Sequence, residues 1–169
     1  MKEFSSLGEF GLHLLTLQLT EELALHKGLK RVADLVEATA KEEIGTYQPS
    51  VGPFGAWEKL TDSTEDEKSR LGYPLEAPLL RTGKTRDSIS NIVDGLEAVI
   101  GSEEDILLWQ ELGTSTIPPR PVLGPAVVQN KKKIERILGD ASAVGLIGGE
   151  VLPSELGYGE ALEGNESVS

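Results

Sequence analysis

The stretch Gly113-Thr114-Ser115-Thr116-Ile117-Pro118-Pro119-Arg120-Pro121 constrains the fold more than any other. Each proline fixes its own φ and pushes the residue before it toward extended backbone. Pro118, Pro119 and Pro121 therefore predict a stiff loop that holds Arg120 in a fixed place. An apolar segment ends ahead of it at Gly113, and the chain re-enters a helix near Pro125, where a proline suits the first turn. Such a loop serves catalysis, nucleic-acid binding or assembly, and the rest of the chain decides among them.

At 169 residues the chain can bury one core, so a single domain is expected. A net charge of -12 argues against a protein whose main work is gripping DNA by its phosphates. Cysteine is absent, which excludes disulfides, thiol catalysis and thiolate-bound metals. Met1-Lys2-Glu3 is a poor export start, and Glu9 interrupts the first apolar stretch. Leu12 to Leu19 is too short to span a bilayer. The expectation is a soluble, non-exported protein with no membrane partner.

Two helices are predicted before Gly45. Leu7, Phe10, Leu14 and Leu17 form one apolar row, with Leu12, Leu15 and Leu19 as a second. Thr20 with Glu21 and Glu22 reads as the start of the next helix. That helix carries Leu25, Leu29, Val32, Val36 and Ala40 on one face. Residues 46–79 are punctuated by Gly and Pro and read as a long arm or loop with one short helix near Ser63. Trp57 is the large apolar anchor of that arm. Ile89 to Val93, then Asp94-Gly95, then the alternation from Leu96 to Ile100 predict a β-hairpin. Ser102 with Asp105 predicts a cap for a helix over 103–112, although Ile106-Leu107-Leu108-Trp109 also suits a buried strand. A helix from Pro125 is expected to stop at Gly139, with a small apolar helix over 141–147 after it. Residues 148–169 carry five glutamates and no Lys or Arg, a composition expected to be disordered.

Candidate chemistry is thin. Gly83-Lys84-Thr85 copies the end of a phosphate-binding loop, but the motif needs glycine at position 78, which is Pro. His13 and His26 lack the spacing of a metal pair. Asp62, Glu65, Asp66 and Glu67 lie beside Lys68 and Arg70 and read as a solvated face. Lys131-Lys132-Lys133 reads as the solvated side of a helix. No catalytic, cofactor or metal site is expected, and the residues alone point to an assembly or interaction module.

The order of motifs adds a resemblance. Thr82, Gly83, Arg86, Ser88 and Ile89 fit a T-G-x-L-R-x-S-I pattern ahead of the hairpin. Glu111, Gly113, Thr114 and Ser115 fit E-x-G-T-S. Pro119, Arg120, Pro121, Leu123, Pro125 and Ala126 fit the proline-rich pattern that follows. Trp57, Leu60, Thr64 and Lys68 fit a W-x-x-L…T…K arm. In this order they resemble the virion-morphogenesis proteins of tailed bacteriophages, the neck, head–tail joining, tail-completion and minor tail family. The likeness spans roughly residues 20–140 and departs at Thr85, where the family prefers Leu.

The resemblance implies an α+β subunit with no cofactor, acting in the virion after assembly in the host cytoplasm. Its implied partners are copies of itself in a homo-oligomeric ring and other connector, head-completion or tail proteins. Genomic DNA would pass through the lumen without sequence-specific binding. A tail terminator or minor tail protein is the alternative role, and a nucleic-acid-binding accessory protein the alternative class. Trp57, Arg86, Trp109, Glu111, Gly113, Thr114, Pro119, Arg120 and Pro121 are the expected assembly or interface residues. The expected architecture is one α+β domain over 1–147. It holds two N-terminal helices, the 46–79 arm and a hairpin-based antiparallel sheet on a long helix, with the acidic tail over 148–169.

Overall fold

A computed structural model describes residues 4–147. The elements are α1 (Leu7–Glu43), α2 (Asp62–Leu71), α3 (Lys84–Asp87), β1 (Ser90–Asp94), β2 (Glu97–Gly101), α4 (Asp105–Leu112) and α5 (Leu123–Leu146). The class is α+β, with a two-stranded antiparallel sheet packed on the long first helix. The acidic tail lies outside the described residues.

The two helices expected before Gly45 are one. Thr20 does not cap a new helix. Its hydroxyl donates to the Thr16 carbonyl at 2.8 Å, as that of Thr16 donates to Leu12 at 2.9 Å, and the ladder runs on unbroken. The helix starts instead at Leu7, and just ahead of it the Ser6 hydroxyl accepts the Glu9 N–H while the Glu9 carboxylate accepts the Ser5 N–H. It ends at Glu43, and the Gly45 N–H (φ 98°) reaches the Pro78 carbonyl at 2.9 Å. The stop expected at Gly139 is also absent. Asp140 and Ala141 are buried just after it, and tertiary packing carries α5 through to Leu146 as a single helix.

The contacts gather into two compact units, and each long helix supplies part of both. The first unit joins α1 up to Val32, the hairpin tip Val93–Ala98, and α5 from Lys132. Within it the two helices run antiparallel, with Glu21 against Gly145 and Gly28 against Ile137 and Ala141. A Cβ on Gly28 would stand 2.7 Å from the Ala141 Cβ, and one on Gly145 would stand 2.6 Å from the Glu21 Cα. Only glycine allows that approach. The His26 Nδ1 donates to the Gly95 carbonyl at 2.7 Å, tying the hairpin tip to α1. Asp140 is buried here, and neither carboxylate oxygen has a hydrogen-bond partner among the described residues.

The second unit spans Ala33–Ile92 and Val99–Lys131. Its core includes Val36, Ala40, Trp57, Ile89, Leu107, Val122 and Ala126. Each large aliphatic member contributes about 1.5–3 kcal/mol of burial. The Asn91 amide donates to Asp34 and Glu37 of α1 at 2.9 and 2.5 Å, which fixes β1 on the helix. The hairpin alternates as its sequence predicts. Asn91 and Ile100 are partly covered, while Ile92 and Val99 stay exposed.

The 46–79 stretch holds the one short helix expected of it, α2. No capping box forms, because the Thr61 hydroxyl bonds to the Ser63 and Thr64 hydroxyls instead. Buried anchors pin the stretch. Lys68 extends its ammonium to the Ala77 carbonyl at 2.6 Å, and burial pulls its pKa below the ordinary lysine value.

Candidate functional site

The proline loop is braced from three sides inside the second unit. Gly113 leaves α4 with φ 72° and ψ 172°. A Cβ there would meet the Ile117 carbonyl and the Pro119 nitrogen at 3.0 Å, so the position requires glycine twice over. Thr114 then closes a turn. Its N–H donates to Ile117 O at 2.8 Å, and its hydroxyl accepts the N–H groups of Thr116 and Ile117.

Arg120 does not face outward. It is 6% exposed, its N–H donates to Gln110 O at 2.6 Å, and one guanidinium nitrogen donates to Glu58 O at 3.0 Å. Trp57, also 6% exposed, donates its indole N–H to Pro121 O at 3.1 Å. Glu111 Oε1 accepts the N–H groups of Val122 and Leu123 at 2.8 and 2.7 Å. That carboxylate therefore caps α5 from outside the helix, where the dipole favours negative charge.

Seven expected residues thus meet in one cluster: Trp57, Glu111, Gly113, Thr114, Pro119, Arg120 and Pro121. Burial and internal bonds make Trp57 and Arg120 braces within the chain. Arg86 lies apart, on the one-turn α3, and pairs with Asp87 at 2.9 Å on the surface. Trp109 sits on the outer side of α4 and is 49% exposed.

The run Ile106-Leu107-Leu108-Trp109 lies in α4, within the helix expected over 103–112, and the strand alternative does not form. Leu107 alone enters the core, while Leu108, Trp109 and Leu112 are exposed, Leu112 by 74%. Four consecutive apolar residues cannot share one face of a helix, so three had to point elsewhere.

Sequence reasoning missed Glu43. It lies at the end of α1, is buried, and accepts the Gln129 amide on one oxygen at 2.8 Å. Burial and then the charge of Glu111 raise its carboxyl from 4.5 to about 7, and the Gln129 bond offsets part of this. The second oxygen has no partner among the described residues. Nothing local in Glu42-Glu43 distinguishes the buried acid from its exposed neighbour, except that position 43 continues the Val36–Ala40 face.

Three basic residues of the second unit are held in surface ion pairs. Arg81 pairs with Glu67, Lys84 with Glu104 and Arg86 with Asp87. Among the described residues no group of three or more His, Cys, Asp or Glu is placed to hold a metal, and no helix is long and apolar enough to cross a membrane. No protein-family model, curated protein or solved structure matches the chain.

Proposed function

We propose that the chain is a structural subunit of the head–tail connector of a tailed bacteriophage, a neck or tail-completion protein that joins copies of itself into a ring. The ordered motifs supply the phage setting. The observation that carries self-association is the exposed apolar side of α4, held beside a loop that is already rigid. Leu108, Trp109 and Leu112 present large apolar groups to solvent, which is a mark of a surface that a partner covers. A pre-braced loop next to them loses little entropy on docking. The hairpin adds two strand edges with no neighbouring strand among the described residues, and an exposed Ile92 and Val99.

A ring is the closed form of a heterologous contact repeated between identical subunits. Net charge of -12 would repel DNA phosphates and let the genome slide through the lumen without sequence-specific contact. Trp109→Glu with Leu112→Glu tests the reading. Both sites are exposed, so the variant keeps its helical circular dichroism and is expected to fall to monomer mass in light scattering. A folded variant that keeps the wild-type mass overturns the role of α4.

A further inference from the structure

We propose that the acidic segment 148–169 docks back into a basic-rimmed groove between α1 and α5 of its own first unit. The groove has a volume of about 730 Å³. Leu23, Ile137 and Ala141 give it apolar surface, and Lys27, Lys30 and Arg31 give it positive charge. Leu23 is 63% exposed, so its apolar side chain stands uncovered on that wall.

Charge selects the occupant. Lys41, Arg81, Lys84 and Arg86 each pair with a carboxylate. Lys27 and Arg31 pair with none among the described residues. Segment 148–169 offers Glu150, Glu155, Glu160, Glu163 and Glu166 with no Lys or Arg, and sets Leu152, Leu156 and Leu162 between them. Acids for the rim and leucines for the floor therefore lie on one segment.

Reach agrees. Helix α5 ends at Leu146, two residues after the groove residue Val144. The α1 wall from Thr20 to Arg31 is about 17 Å long at helical rise. Fully extended, 148–169 reaches at most about 70 Å. Covalent tethering also keeps its local concentration high, so a shallow groove and a few ion pairs suffice.

The chain has no cysteine, so two can be placed without interference. Glu22→Cys and Ala161→Cys in the full chain, each carrying a nitroxide, report the tail-to-groove distance by pulsed dipolar spectroscopy. Dilution into unlabelled chain leaves only intrachain distances. A short, narrow distribution is expected. It should become long and broad when Lys27→Glu and Arg31→Glu are added, with circular dichroism unchanged. A broad distribution in the parent overturns the proposal, as does a short one that survives the charge reversal. Docking onto a second copy would give the broad intrachain result and overturn it too.

Discussion

Arg120 shows how a residue's role depends on what surrounds it. In the sequence it stands between prolines as a guanidinium ready to be presented. In the fold it is a buried brace that ties α4, the loop and residue 58 together. Arg120→Ala leaves the Glu58 carbonyl without its donor and opens space in the core. The expected loss is about 2–4 kcal/mol in urea unfolding. A loss under about 0.5 kcal/mol, the scale of ordinary surface substitutions, would contradict the brace. Glu43 gives a pH signature. Its carboxyl titrates near 7 in the fold and at the ordinary 4.5 in the unfolded chain. Between those values the folded chain holds the extra proton, so this contribution is complete below about pH 4.5 and is lost as pH rises through 7. Its size is on the order of 3 kcal/mol. Glu43→Gln should flatten the decline in stability between pH 5 and 8, and an unchanged slope would contradict the assignment.

At the scale of elements, legibility followed the range of the interactions. The hairpin was readable because its turn and its alternation are local, and Ile92 and Val99 point outward as period two requires. The proline loop and the start of α5 were readable for the same reason. The division of α1 was misread because Thr20 can cap or bond backward, and only the neighbouring turn decides. Gly139 was misread because packing by Ala141 and Val144 outweighs the roughly 1 kcal/mol that a mid-helix glycine costs. The exposure of α4 was hidden, since an apolar run left on the surface has the same composition as one in the core. The same holds at the site: the cluster members were named, but their inward direction comes from contacts between residues about sixty positions apart, Trp57 with Pro121 and Glu58 with Arg120. One prediction belongs to this scale. Glu111→Ala removes the external cap of α5 and should cost about 1–2 kcal/mol. Amide exchange should rise at Val122 and Leu123 first, and protection unchanged there would contradict the cap.

Each of the two compact units leaves large apolar side chains exposed. Leu12, Leu15 and Leu19 on α1 are each more than half exposed, as are Leu108 and Leu112 on α4. A lone soluble subunit seldom carries this much large apolar surface, whereas an assembling one requires it. Self-association is the central claim, and the mass of the wild-type chain tests it most directly. Light scattering on the purified protein, with negative-stain images of the same fractions, should give a single multiple of the 18.1 kDa subunit and closed rings. A sharp peak at the subunit mass across micromolar concentrations, with no rings in the images, would contradict it.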